Sequence, residues 1–234
     1  GDSPHRQAHS RGSGRQAIPC TQGCAAMTDR YAVHGTQGEF QPGSNDLVLA
    51  NKLGIQYVED MNDLELELLQ RLYEEVLVKH LPNRVLTVED LKTWHRRWLG
   101  NVFEWAGQER SVNMGKDGFM FAASAQIPRL LADFERSCLA RWTPCHDMDT
   151  DALVEAIAIT HVEFILIHPF REGNGRLSRL LADVMAVQAD RGPLDYSSWN
   201  ADKPAYIKAI HQGVQMEYAP MKRLVAQALG VGAA

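Results

Sequence analysis

The chain has 234 residues, 45% of them hydrophobic, and a formal net charge of −5 at pH 7. That length buries a full core in one domain, and with no dominant basic stripe the composition argues against nucleic acid as a partner. Glu155 and Glu163 interrupt the longest apolar run, so no segment supplies the roughly 18–20 uncharged residues of a membrane span.

Residues 1–43 differ from the rest, with Gly, Ser, Gln, Arg and His dominant up to Arg30 and a loop-like stretch from Gly35 to Gly43. They are expected to form a flexible tail, since they lack the apolar content to fold alone. Met27 is a candidate native start, which would place the first 26 residues upstream of the natural protein. No apolar h-region is present, so a secretory leader is not expected. The folded domain is assigned to 44–230. Cys20, Cys24, Cys138 and Cys145 lack the company of a zinc knuckle or a disulfide framework, which points to a reduced, cytoplasmic protein.

From Asn45 onward the pattern is helical. Residues 47–54 read as a short helix closed by Gly54. Asn62 or Asp63 can cap the next one, which carries Leu64, Leu66, Leu68, Leu69, Leu72 and Val76. Thr87-Val-Glu-Asp90 has capping-box character and opens a helix over 91–99; His95, among its aromatics, reads as a core or surface residue. The stretch 107–124 breaks the rhythm. Residues 110–114 and 118–122 read as two strands turned through Gly115-Lys-Asp-Gly118. Such a hairpin either packs Phe119 or Phe121 into the core or covers a site. Residues 127–142 form an amphipathic helix, and Met148 or Asp149 leads into a mostly buried one over 152–167. A further helical pattern spans 177–188. After Gly192-Pro193, residues 207–215 and 220–229 are helical again.

Between the two central helices lies His168-Pro-Phe-Arg-Glu-Gly-Asn-Gly-Arg176. Its Gly-Asn-Gly falls where a helix begins, with unpaired backbone N–H groups and the positive dipole end facing outward, an anion site that two glycines leave open to close approach. His168 has the ordinary pKa of a base working near neutral pH. Glu172 is a hard oxygen ligand for Mg²⁺, whose remaining positions phosphate and water would fill. Asn174 with the Gly173 and Gly175 amides can cradle a phosphate. Arg176 and Arg179, three apart, share a face that reaches the distal phosphates. Phe170 points inward and anchors the loop.

At these residues the chain resembles the Fic family, whose signature is His-x-Phe-x-(Asp/Glu)-Gly-Asn-Gly-Arg-x-x-Arg. His168, Phe170, Glu172, Gly173, Asn174, Gly175, Arg176 and Arg179 match every specified position. The resemblance implies an all-α, Fic-type helical bundle with a β-hairpin flap over the active site. It also implies protein adenylylation, in which AMP moves from ATP to a Ser, Thr or Tyr hydroxyl of a target protein and pyrophosphate leaves. His168 would be the general base, Glu172 the ligand of Mg²⁺, Gly173 to Gly175 the anion hole, and Arg176 and Arg179 the clamp on the β- and γ-phosphates. The flap, Lys116, Asp117, Gly118, Phe119 and Met120, would dock the target by strand-type pairing. Tyr206 would lie on the adenine side, or else be plain packing. Phosphate or phosphocholine transfer is disfavoured by the intact Gly-Asn-Gly. UMP transfer stays open, and a silent interaction module is disfavoured by the intact His168, Glu172 and arginines.

Many family members carry an inhibitory (Ser/Thr)-x-x-x-Glu-(Gly/Asn) whose glutamate pairs with the second motif arginine, here Arg179. The only Glu followed by Gly or Asn in this chain is Glu172 itself. The expectation is restraint by a separate antitoxin-like protein, as in toxin–antitoxin pairs, or no restraint of this kind, and no AMP removal.

Overall fold

The computed structural model describes residues 36–231. Its first long helix, α1 (Val58–Tyr73), continues without a break into a π-helical stretch, Glu74–Lys79. Asn62 and Asp63 are not its caps; they lie inside it, because the buried stripe already includes Val58 and Met61. α2 (Val88–Leu99) begins where the capping box requires. Thr87 Oγ1 accepts from the Asp90 N–H at 3.3 Å, and Asp90 Oδ2 accepts from the Thr87 N–H at 2.8 Å.

A hairpin of two short strands, β1 (Gly115–Lys116) and β2 (Phe119–Met120), follows in antiparallel register, with Lys116 opposite Phe119. The expected longer strands over 110–114 and 118–122 are not formed. Asp117 and Gly118 both take positive φ, 50° and 79°, the two-residue turn that an Asp-Gly pair favours. Pairing therefore closes immediately around them, while Val112 and Met114 bury in the core instead.

The expected 127–142 helix is present as α3 (Ile127–Phe134), a π-helical stretch Glu135–Leu139, and α4 (Ala140–Trp142). α5 (Thr150–Ile167) is capped by Asp149, whose carboxylate accepts from the Ala152 N–H at 2.8 Å. It is apolar nearly all round, with Ala156, Ile157, Ala158, Val162 and Phe164 fully buried, so it sits at the centre. α6 (Asn174–Gln188) packs along it, and α7 (Ser197–Ala201), α8 (Lys203–Gln212) and α9 (Ala219–Ala228) complete the bundle, α8 and α9 lying directly on α5.

Residues 47–54 are not helical. Asn45 and Asp46 both adopt left-handed backbone, φ 54° and 59°, turning the chain so that Phe40 and Leu49 form an antiparallel bridge. The Asn51 side chain then takes the N–H groups of Leu53 and Ile55, local bonds that compete with a helix and win. The same bridge corrects the boundary at residue 43. Residues 36–43 are seated on the bundle, with Gln41 N–H donating to Val48 O and Gln37 O accepting from Arg171 Nε at 2.7 Å. Cys20, Cys24 and Met27 lie outside the described residues. Cys138 and Cys145 are buried free thiols. Among the described residues no helix is long and apolar enough to cross a membrane.

Candidate active site

α5 ends in a left-handed residue, and that residue is His168, at φ 51° and ψ 59°. A bulky residue in this region is strained, and here the strain turns the chain off the helix axis into the motif loop. The loop then braces itself. Asn174 Oδ1 accepts from the Phe170 N–H at 2.9 Å, and Asn174 Nδ2 donates back to Phe170 O at 2.7 Å. The Asn174 carboxamide is thus occupied within the loop, and what the residue offers an anion is its backbone N–H. Gly173 precedes the helix at φ 83°, and an added Cβ would lie 2.6 Å from Cζ3 of Trp98. Only glycine fits there. Gly175 is exposed, with open space where a side chain would be, so the first turn of α6 presents bare backbone to solvent at that position.

Glu172 is partly exposed; its Oε1 accepts from the Gly173 N–H at 3.0 Å and lies 3.5 Å from Arg176 Nη2. The two arginines lean on different walls rather than converging. Arg176 lies over the Trp98 ring, 4.6 Å from its centroid, and donates from Nη1 to Glu65 Oε2 at 2.6 Å. Arg179 lies over Tyr196 at 4.8 Å and donates to Asn200 Oδ1 at 3.0 Å. Asp183, one turn along α6, secures that second wall by accepting from the hydroxyls of Tyr196 and Tyr73; burial raises its pKa to about 6.

The hairpin lies over the histidine. Phe121, just after β2, stacks on the His168 ring with centroids 3.7 Å apart, and Phe119 stacks on His211 of α8 at 4.1 Å. Both aromatics are half-buried against the site rather than in the core. Lys116, Asp117, Gly118 and Met120 are exposed. Lys116 also lines a cavity of about 250 Å³ with Glu65, Arg171, Glu172 and Arg176 over an apolar floor that includes Met61 and Phe103. Burial pushes the His168 pKa down to about 3, with the charges of Arg110 and Lys116 lowering it further, so the imidazole is neutral at pH 7. Its Nδ1 lies 3.3 Å from Ile165 O. That contact assigns the proton to Nδ1 and the lone pair to Nε2. Tyr206 is only partly buried; its hydroxyl lies 2.8 Å from His161 Nε2 and its ring stacks on Trp199, so its polar end faces the core.

Two supporting residues carry no mark in the sequence. Arg110 is buried and donates to the carbonyls of Val112, Ala122, Ile167 and His168, pinning the flap base to the motif loop. His95 is a core residue, as its surroundings imply, yet it touches the site. Its Nδ1 accepts from the Gly107 N–H at 2.8 Å, which makes Nε2–H the donor to Glu172 O at 3.0 Å, and its ring stacks on Phe170 at 4.1 Å. Burial lowers its pKa to about 4.

The mostly helical bundle with its small antiparallel hairpin matches the fold of solved Fic domains, among them the N-terminal Fic domain of a Bartonella effector protein from Bartonella sp. AR 15-3, at a TM-score of 0.69 and 24% identity over 83% of this chain and 93% of that one. The Fic/DOC family model matches residues 85–186. The probable protein adenylyltransferase y4lH of Sinorhizobium fredii is 31% identical over 135 residues, covering 58% of this chain and 67% of that protein. The protein adenylyltransferase VbhT of Bartonella schoenbuchensis is 34% identical over 92 residues, 39% of this chain and 19% of that longer protein. The BepC protein of Bartonella tribocorum, solved with bound AMPPNP, shares the fold at a TM-score of 0.65 and 22% identity, covering 78% of this chain and 92% of that one. The chain belongs to the Fic/DOC family.

Proposed function

We propose that this chain transfers AMP from ATP to a Ser, Thr or Tyr hydroxyl of a target protein. The observation that carries the reading is the pairing of a neutral, buried His168 with the uncovered first turn of α6, six residues along the same braced loop. It is supported by the adenylyltransferase names of the relatives VbhT and y4lH and by the AMPPNP held by BepC. In this reading the triphosphate rests on the backbone N–H groups at the start of α6, where the helix dipole favours anions. Arg176 and Arg179 hold its distal phosphates from two sides. His168 Nε2 takes the proton of the incoming hydroxyl, whose oxygen attacks the α-phosphorus. The bond to the β-bridging oxygen breaks, and pyrophosphate leaves. The negative charge of the triphosphate raises the imidazole pKa from its buried value while the proton is being taken. The exposed edge at Lys116 to Met120 is left for the target segment, and Tyr206 is assigned to the wall beyond it on the adenine side.

A magnesium ion fits this site through Glu172. Among the described residues no cluster of three or more His, Cys, Asp or Glu forms a cage for a metal. A single accessible carboxylate beside a phosphate cradle is the donor set Mg²⁺ uses when substrate oxygens and water complete its shell. Bound there, the ion would neutralise charge on the phosphates. Arg179 is held by Asn200 rather than by a glutamate. Restraint is assigned to a separate antitoxin-like protein or to no device of this kind, and the place of action to the cytoplasm, where ATP is available. Incubation with Mg²⁺, a host lysate and ATP labelled at the α- or γ-phosphate tests the proposal. It requires label on protein from the α-position alone; γ-label on protein, or none from either, overturns it.

A further inference from the structure

Of the two glutamates that meet Arg176, the nearer comes from 111 residues earlier in the chain. Glu65 on α1 is 4% exposed, yet it holds a motif arginine and the indole beneath it at once. Its carboxylate accepts from Arg176 Nη1 at 2.6 Å, and its carbonyl accepts from Trp98 Nε1–H at 2.9 Å. That indole in turn lies under the Arg176 guanidinium and against Gly173 at the start of α6. One residue therefore fixes both the edge and the face of the same guanidinium.

We propose that Glu65 is a positioning residue for nucleotide binding: with Trp98 it locks Arg176 so that the remaining N–H edge of its guanidinium meets the distal phosphates. The inference rests on the nucleotide-transfer reading above. Two roles are open to a carboxylate in this place, since it can aim the arginine or compete with phosphate for it. Burial decides between them. A phosphate that pulled Arg176 away would break a 2.6 Å ion pair made by a carboxylate at 4% exposure, and breaking a buried pair is strongly unfavourable. A guanidinium has five donors, so a phosphate has no need to displace Glu65. The pair also confines a long, half-exposed side chain to one geometry before ligand arrives, and preorganisation of this kind sharpens binding. Glu65 lowers the net positive field around the phosphates, so its benefit is geometric.

The test compares the intact chain with Glu65→Ala, Glu65→Met and Glu65→Gln, measuring the Kd for Mg·ATP by calorimetry and KM and kcat in the α-label assay. Removing the acceptor in Glu65→Ala or Glu65→Met should raise Kd and KM for ATP on the order of tenfold, with a smaller change in kcat. Glu65→Gln, which keeps an acceptor, should recover most of the loss. In an Arg176→Ala background, Glu65→Met should add less than about twofold. A residue that only supported the fold would lower Tm and active fraction without moving KM. Should Glu65→Ala fail to fold, Glu65→Met, which fills the space, decides. Affinity for ATP in a folded Glu65→Met that is unchanged or tighter overturns the inference while leaving the transfer reading intact. A wild-type chain that neither binds ATP nor transfers label overturns both.

Discussion

His168 combines a strained backbone, a buried ring and a depressed pKa. Each has a cost that ordinary packing would avoid, and a base held neutral at a fixed angle needs all of them. Replacing it with alanine should lower transfer by about 10² to 10⁴. Nucleotide affinity should remain near that of the intact chain, because phosphate holding falls to the α6 amides and the arginines. Single-turnover kinetics beside calorimetry separates the two, and near-normal turnover would remove the residue from the mechanism. The motif residues were readable from sequence because they lie in one window and their chemistry is complete within it. The bracing of the loop by the Asn174 carboxamide was not legible, because it depends on where the chain turns back after Phe170. Glu65, Trp98, His95 and Arg110 were not assigned to the site, since each reaches it through tertiary contacts that no local pattern records.

At the scale of elements, the flap is pinned by Arg110 at its base and by two aromatic stacks, one from β2 and one from the residue just after it. Phe121 covers one face of His168, and burial is the largest cause of that imidazole's low pKa. Phe121→Ala should therefore raise the pKa from about 3 by on the order of one unit or more toward the unperturbed value. The acid limb of the transfer rate should move up with it, because the base must be neutral to accept a proton. NMR titration of the His168 ring reads the change directly. A wild-type ring that already titrates near its ordinary value would contradict the assignment. The presence of a hairpin was legible from Asp117-Gly118, but its length was not. Pairing ended after two residues per strand because Val112 and Met114 were drawn into the core and Arg110 into a cage of carbonyls. The error at 47–54 has a similar origin. Its spaced apolar residues satisfy a helical pattern, but the Asn51 side chain and the left-handed Asn45-Asp46 pair close turns instead.

At the scale of the whole molecule, three histidines among the described residues are buried in neutral form, His95 at about 4 and His161 and His168 at about 3. On acidification below the unfolded histidine value near 6.5 the unfolded chain takes up these protons first. Stability therefore falls as pH drops, by up to about 1.4 kcal/mol per pH unit for each group. Asp183, raised to about 6, works in the opposite direction between that value and its unfolded one, since the native state then holds the extra proton. The net loss from pH 6 to pH 5 should be about 2 to 3 kcal/mol, visible as a falling Tm in calorimetry. A Tm that is flat or rising over that interval would show that these rings are not held neutral. The order of the long helices was legible because α5 and α6 carry unbroken apolar patterns around one polar loop. Placement of α1 against the motif was not, since its stripe reads only as core-facing and does not single out Glu65.

The central claim is spatial: triphosphate over the first turn of α6, with the His168 ring beside the α-phosphorus. A crystal structure of His168→Ala with ATP and Mg²⁺ tests it most directly, because the variant should bind without turning over. Phosphate oxygens should lie within hydrogen-bond distance of the backbone N–H groups of Asn174 and Gly175, with the distal phosphates between Arg176 and Arg179. Nucleotide bound elsewhere, or a phosphate chain that leaves those amides to solvent, would contradict the account.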